Sequence, residues 1–133
     1  MKVEKRKHAR FLPPPNTFAA LGKGYARIGK MIDICNGGLS FEYLAEKNKK
    51  LHYFEVDIFL VGNVFCLYSL PCKIVYDIQI HEPHVKNEFI KVLTNRKCGV
   101  KFKNLTEYNN LQIQFFIDNY TEGYSISKNI LTK

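Results

Sequence analysis

Alternation of apolar and polar positions predicts extended strands along most of the chain. The stretch YARIGKMIDI (25–34) places mainly apolar residues on one side, and this period of two is typical of a half-buried strand. Asn36, Gly37 and Gly38 follow, residue types that favour turns and tolerate positive φ. Because GLSFEYLA (38–45) then resumes the extended pattern, the two segments predict a β-hairpin.

Further segments with strand character lie on both sides of this hairpin. They are TFAAL (17–21), HYFEVDIFLV (52–61), a β-rich run over 64–80, FIKVLT (89–94) and CGVKF (98–102). Pro71 is expected to divide the run 64–80 at an edge or a bulge, because proline lacks the amide hydrogen of a strand ladder. Six or so short strands separated by turn residues favour a closed or nearly closed antiparallel β-barrel.

Only the last part of the chain changes to a helical period. Thr106 can cap a helix and Glu107 suits its first turn, so EYNNLQIQFFIDNY predicts a helix over 107–120. Its apolar residues form two groups around the helix axis: Tyr108, Leu111 and Phe115 in one, and Ile113, Phe116, Ile117 and Tyr120 in the other. One group is expected to pack on the barrel. The other either faces a partner or is buried as well, and deep burial against strands and loop is the simpler expectation.

Length and composition fit one folded domain of 133 residues, 46% of them apolar, with ten Phe and eight Tyr. No apolar run is long enough to cross a bilayer, and prolines at 13–15 stand where a secretory signal would be apolar. The chain is therefore expected in the cytoplasm. Four cysteines show neither a C-x-x-C pair nor a histidine at ligand spacing, so reduced thiols and no metal site are expected: Cys35, Cys66, Cys72 and Cys98.

Positive charge is concentrated near the N-terminus. The formal net charge is +8, and residues 1–10 contain five Lys and Arg against one Glu, which is half of the excess. This concentration attracts anions, so nucleic acid, an anionic membrane surface and a phosphorylated small molecule are all admissible partners. Residues 1–16 are predicted to form a flexible basic arm, 17–122 the barrel with its helix, and 123–133 a tail.

Two short motifs supply groups that match a guanine nucleotide. Arg6 and Arg10 lie four residues apart, and guanidinium groups bind phosphate oxygens or the O6/N7 edge of guanine. Asp33 offers two acceptor oxygens for the N1–H and N2–H donors of guanine's opposite edge. Gly37 and Gly38 lack a Cβ that would obstruct a flat or charged ligand. Taken alone, R-x-x-x-R in a basic arm is more often part of a solvated tail, and D-x-x-x-G-G is more often an ordinary hairpin turn.

Together, the order and spacing of these motifs resemble a PilZ domain, the bacterial receptor module for cyclic di-GMP. The family signature is R-x-x-x-R in an N-terminal loop followed by [D/N]-x-S-x-x-G, and Arg6, Arg10, Asp33 and Gly38 stand at the matching positions. RKCGVKF (96–102) is similar to the family's late G-V-x-F strand. The likeness runs from about residue 5 to residue 120, so a stand-alone PilZ protein without an attached output domain is expected.

The resemblance implies a mostly β fold, a six-stranded antiparallel PilZ-type β-barrel with a C-terminal α-helix, and cyclic di-GMP as ligand with no cofactor. The implied ligand-binding residues are Arg6, Arg10, Asp33, Cys35, Gly37 and Gly38, with Lys5, Lys7 and Asn36 as additional candidates. Cys35 replaces the serine of the signature. A thiol is a weaker hydrogen-bonding group than a hydroxyl, so binding is expected to weaken by roughly tenfold.

In PilZ proteins the arm closes over the ligand and contact with an effector changes, so the resemblance also implies a protein partner. Its identity, the ligand stoichiometry and a homodimer stay open. One alternative is a PilZ-like module that binds only protein, favoured by Cys35 and the two-faced helix. Another is a small nucleic-acid-binding barrel, disfavoured because basic residues cluster in the arm instead of alternating with aromatic residues.

An enzyme is the least favoured class, and neither catalytic residues nor a metal are expected. The chain contains no P-loop and no Ser-His-Asp order. The histidines form no H-x-x-x-H or similar ligand set, and each is expected at the surface: His8, His52, His81 and His84.

Overall fold

A closed antiparallel barrel forms most of the computed structural model, which describes residues 9–22, 27–46, 55–62, 65–81 and 93–124. Its elements are β1 (Phe11–Leu12), β2 (Thr17–Leu21), β3 (Arg27–Cys35), β4 (Gly38–Glu46), β5 (Glu55–Leu60), β6 (Cys66–His81), β7 (Leu93–Phe102), α1 (Glu107–Tyr120) and β8 (Glu122–Tyr124). Within these ranges, six strands close in the order β2-β5-β6-β7-β4-β3, and β3 pairs back onto β2. The prediction of a six-stranded antiparallel barrel followed by a helix is confirmed.

Two short strands extend the sheet beyond β3. Phe11 of β1 pairs with Ile34 of β3, and the other side of β1 pairs with β8. The sheet order therefore continues β3-β1-β8 in the described part of the chain. This pairing holds the segment directly after Arg10 against the strand that contains Asp33.

Strand β6 runs without interruption from residue 66 to residue 81, so the expected division at Pro71 is wrong. The irregularity lies two residues earlier, where Ser69 has a φ of 56° and the register between β5 and β6 shifts. The Asp57 carboxylate accepts the backbone N–H of Ser69 at 2.7 Å. This side chain satisfies an amide at the register shift, so the bulge is stable and the strand continues through Pro71.

Helix α1 begins after Thr106, as predicted. The Thr106 hydroxyl accepts the Asn109 N–H at 3.0 Å, and the Asn109 side-chain oxygen accepts the Thr106 N–H at 3.2 Å. This capping box satisfies two amides that the helix itself leaves without partners. The helix buries Ile113, Phe116 and Ile117 against the barrel core.

The second apolar group of α1 is not buried. Tyr108, Leu111 and Phe115 are 68%, 64% and 51% exposed. The expectation that the whole helix is deeply buried is therefore wrong for the described residues. The two groups lie on different sides of the helix axis, so a helix that packs on the barrel with one side can bury only one of them.

The barrel core contains two of the four cysteines, and all four are free thiols. Cys72 is 2% exposed and Cys98 is fully buried. Burial raises the pKa of the Cys72 thiol to about 12, and burial is also the main reason why the pKa of Cys98 rises to about 12. Both thiols behave as small apolar core residues, as expected from their spacing.

Stability is expected to fall as the pH rises above the ordinary thiol pKa of 9.0. The unfolded chain releases these protons first while the folded chain keeps them, so each rise in pH favours unfolding, by at most about 1.4 kcal/mol per pH unit and thiol. Burial also raises the pKa of Tyr43, which adds to the effect at still higher pH. Urea unfolding between about pH 7 and pH 11 measures this trend. An unfolding free energy that stays constant over that range would contradict it.

Candidate functional site

The predicted ligand-binding residues that the structure describes lie around the β3–β4 hairpin, on the outer surface of the barrel. Asp33 of β3 and Ser40 of β4 are directly opposed in the register. Their chain neighbours Ile34 and Leu39 are buried in the core. Because successive side chains of a strand point to opposite faces, Asp33 and Ser40 belong to the outer face. Arg10, which directly precedes the neighbouring strand β1, contacts Asp33.

The Asp33 carboxylate is held by two donors. Its Oδ1 accepts one hydrogen bond from Nη1 of Arg10 at 2.8 Å and another from the hydroxyl of Ser40 at 2.8 Å. The Arg10 and Asp33 side chains are 24% and 13% exposed, so this ion pair is better shielded from water than an ordinary surface pair. Within the described residues, the buried Nε of Arg10 has no hydrogen-bond partner. The ion pair is made by Nη1 of Arg10 and Oδ1 of Asp33, so Nη2 of the guanidinium and Oδ2 of the carboxylate are not part of it.

The turn between β3 and β4 is fixed by its own side chains. The sulfur of Cys35 accepts the N–H of Gly37 at 3.3 Å, and Cys35 is 5% exposed. Asn36 Nδ2 donates to Oε1 of Gln114 in α1 at 2.9 Å, which ties the turn to the helix. The thiol thus takes a local hydrogen bond to the turn that a serine hydroxyl can also make.

Gly38 is required by strand packing. A Cβ on Gly38 would overlap the carbonyl oxygen of Val100 in β7. The residue types at 36–38 would allow a positive φ, but none of these three residues has one. The described glycines with positive φ are Gly22 and Gly62. The carbonyl of Gly37 accepts the Phe102 N–H at 2.9 Å, so the turn is also anchored to the end of β7.

The structure brings Arg10 and Asp33 into contact and places residues 35–38 in the adjoining turn. Lys5, Arg6 and Lys7 lie outside the described residues, and their roles stay predictions. Ser40 belongs to the same cluster, although the signature does not include it, and it is 1% exposed. A sequence signal for it exists, since Ser40 is a small polar residue on the strand face opposite to that of its apolar neighbours.

A second polar cluster lies towards the other end of β3. The carboxylate of Asp77 in β6 accepts hydrogen bonds from three side chains: Nε of Arg96 at 2.7 Å, Nη1 of Arg27 at 3.0 Å and the hydroxyl of Tyr43 at 2.6 Å. Burial and, after it, the hydrogen bond to Asp77 raise the pKa of Tyr43. The same carboxylate raises the pKa of Arg96. The cluster therefore keeps Tyr43 neutral and Arg96 charged, which suits a role in stability.

Other kinds of site have no support in the described part of the chain. It contains no group of three His, Cys, Asp or Glu side chains that could hold a metal ion. None of its helices is both long enough and apolar enough to span a membrane. His8, His52 and His84 lie outside the described residues.

Comparison with solved structures identifies the fold as that of a PilZ domain. The PilZ domain of YcgR from Escherichia coli, solved with c-di-GMP, matches with a TM-score of 0.61 and 15% identity over 88% of this chain and 92% of that chain. The crystal structure of YcgR from Escherichia coli in complex with c-di-GMP matches with a TM-score of 0.61 and 17% identity over 87% of this chain. This chain spans 46% of that longer YcgR chain. The chain therefore has a PilZ-type fold, as the motifs predicted.

Sequence comparison adds no further relative. No family model matches the chain. A search of curated proteins finds no match either.

Proposed function

We propose that this chain is a receptor that binds cyclic di-GMP on the outer surface of its barrel and signals to a protein partner. The observation that carries the proposal is the contact of Arg10 with Asp33, which are 23 residues apart in sequence, beside the buried hydroxyl of Ser40. Its residue types match the guanine and phosphate groups of the ligand. The two YcgR structures with the same fold, both solved with c-di-GMP, support the same ligand class.

In the proposed complex, each described side chain has a separate task. Asp33 accepts the N1–H and N2–H donors of a guanine base, and Ser40 fixes the orientation of that carboxylate. Arg10 donates to a phosphate or to the O6/N7 edge of guanine through Nη2 of its guanidinium, which the ion pair does not use. These contacts are reversible and need no catalytic group, so the proposed role is that of a receptor and not of an enzyme.

The basic arm adds the proposed switch. Arg6, with Lys5 and Lys7, closes over the bound ligand, because the two phosphates offset the repulsion among these cations. The free energy of binding then compensates for the entropy that the arm loses on ordering. Closure of the arm changes the surface that a protein partner meets.

The exposed face of helix α1 favours a protein partner. Tyr108, Leu111 and Phe115 form an apolar strip on the solvent side of this helix. The hydrogen bond from Asn36 to Gln114 joins the same helix to the turn beside the proposed ligand site. A module that binds protein without any nucleotide is the second candidate function, and this exposed strip is the observation that favours it.

Calorimetric titration of the full chain with cyclic di-GMP separates the two functions. A receptor is expected to bind with a micromolar or lower Kd, which corresponds to about −8 kcal/mol or better. GMP and a generic single-stranded DNA serve as comparison ligands. No binding of cyclic di-GMP would contradict the receptor function and leave the protein-binding module. Salt-sensitive binding of the DNA alone would instead indicate a nucleic-acid-binding barrel.

Cys35→Ser is expected to tighten the binding of cyclic di-GMP by roughly tenfold. The serine hydroxyl can keep the bond to Gly37 and is a better donor to the ligand than a thiol, a gain of about 1.4 kcal/mol. Parallel titrations of wild type and variant measure the change. Cys66→Ser is the matched control, because Cys66 begins β6 outside the turn and should leave the affinity unchanged. An equal or weaker affinity of folded Cys35→Ser would refute the prediction.

A further inference from the structure

The outer surface next to the Arg10–Asp33 contact continues over β7 and β6. Ser40 of β4 is directly opposed to Gly99 of β7, and Gly99 is directly opposed to Tyr76 of β6. Together with Asp33, these residues form one row across four strands. The ligand-binding features of β3 and the aromatic residue of β6 therefore share one outer face of the sheet.

The Tyr76 ring leans across Gly99 towards Ser40. A Cβ on Gly99 would overlap this ring, so the ring lies directly on the backbone of β7. Neighbouring strands are about 4.8 Å apart, which places the ring roughly one strand spacing from Ser40. Asp33 contacts the hydroxyl of Ser40 from the other side. Tyr76 itself is half-buried, so part of its surface stays open to solvent.

Two lysines border the same surface on the side of the β3–β4 turn. Gly38 is directly opposed to Lys101 of β7, and Lys101 is directly opposed to Lys73 of β6. Both lysines are exposed. Like charges at directly opposed positions destabilise a sheet, and an anion bound between them removes that repulsion. A cationic pair thus lies one row from the aromatic ring, about 7 Å along the strands.

We propose that Tyr76, Lys101 and Lys73 form the second half of the nucleotide site. Tyr76 stacks on the second purine of a dinucleotide whose first purine binds Asp33, and the two lysines bind a phosphate that joins the purines. The inference rests on the proposed function and names the residues that give cyclic di-GMP, a purine dinucleotide, its preference over a mononucleotide. An aromatic ring that only covered Gly99 would not explain the two lysines beside it.

Tyr76→Leu tests the stacking contact, because leucine keeps an apolar cover on Gly99 but removes the ring. The variant is expected to bind cyclic di-GMP at least about fivefold more weakly, as stacking on one aromatic residue contributes about 1–3 kcal/mol per base. Tyr76→Phe keeps the ring and is expected to bind within about twofold of wild type. GMP, which reaches only the Arg10–Asp33 half, is expected to bind Tyr76→Leu and wild type equally. Urea unfolding checks that both variants fold.

Lys101→Met combined with Lys73→Met tests the phosphate contact. This variant is expected to bind cyclic di-GMP about fourfold to twenty-five-fold more weakly, since an exposed charge contributes roughly two- to fivefold. It should also lose part of the salt dependence of binding. Lys103→Met, an exposed lysine beyond the end of β7, is the matched control and should bind like wild type.

The outcomes separate this inference from the proposed function. If Arg10→Ala loses binding while Tyr76→Leu and the double lysine variant bind cyclic di-GMP like wild type, the second half-site is wrong and the receptor function stands. If wild type binds GMP as tightly as cyclic di-GMP, the dinucleotide preference is also overturned. If wild type binds neither nucleotide, both the receptor function and the half-site are wrong.

Discussion

Arg10→Ala is expected to weaken cyclic di-GMP binding by at least about a hundredfold and to leave the fold intact. Arg10 is the motif guanidinium that the structure describes at the site, in contact with Asp33 at 2.8 Å. Hydrogen bonds to charged groups contribute about 1.5–3 kcal/mol each, so the loss of two contacts with a ligand is about 3 kcal/mol or more. Calorimetric titration beside wild type measures the loss. Arg6→Ala is expected to behave in the same way.

The same substitution should cost little stability. The Arg10–Asp33 pair is partly exposed, and such pairs contribute up to about 1 kcal/mol to folding. Asp33 also keeps its hydrogen bond from Ser40 in the variant. Lys30→Ala, which removes an exposed cation from β3, is the control and should bind like wild type. Wild-type affinity in folded Arg10→Ala and Arg6→Ala would show that the motif arginines do not bind the ligand.

The bounds of the helix and the presence of the hairpin could be predicted because both depend on local chemistry. Thr106 and the residues that follow it specify a helix start without help from the rest of the fold. The contact between Ser40 and Asp33 depends instead on the register of β3 and β4, which shifts between Met31 and Asp33. A slip of one residue would reverse the face of each side chain, and the sequence of one strand does not fix that slip.

The periodicity of α1 could not predict which of its two apolar groups is exposed. Both groups of apolar residues on this helix have the spacing of a buried face, and only the packed structure shows which one meets the barrel. Phe65, just before β6, stacks on Phe116 at a centroid distance of 5.5 Å and makes a tilted ring contact with Tyr120 at 5.0 Å. These two contacts lie on the side of Ile113 and Ile117. Phe65 also lies 6.0 Å from the ring of Phe115, whereas Tyr108 and Leu111 are left to solvent.

The cluster around Asp77 has no sequence signature. Its members come from four strands, and the pairing of those strands brings together side chains that are up to 69 positions apart: Arg27, Tyr43, Asp77 and Arg96. No motif spacing describes such a set, since each member contributes one side chain from a different strand. Its importance for stability follows only from the contacts.

Asp77→Ala is expected to reduce the free energy of unfolding by about 1.5–3 kcal/mol, the usual contribution of a hydrogen bond to a charged group, because this partly buried carboxylate accepts hydrogen bonds from three side chains. Asp77 is 16% exposed and is the carboxylate shared by Arg27 and Arg96, so its loss leaves two guanidinium groups close together without this counter-charge. It also removes the acceptor of the Tyr43 hydroxyl. Urea unfolding at neutral pH measures the change.

Two further variants identify the cause. Asp77→Asn keeps the shape and a hydrogen-bond acceptor but removes the charge, so its loss of stability should be smaller than that of Asp77→Ala and should still exceed that of Asp118→Asn. Asp118 is an exposed carboxylate on α1, where substitutions usually change stability by about 0.5 kcal/mol or less. If Asp77→Ala costs no more than Asp118→Asn, the cluster does not stabilise the barrel. Because the cluster lies at the other end of β3 from the proposed ligand site, Asp77→Asn should bind cyclic di-GMP with wild-type affinity under conditions where it is folded.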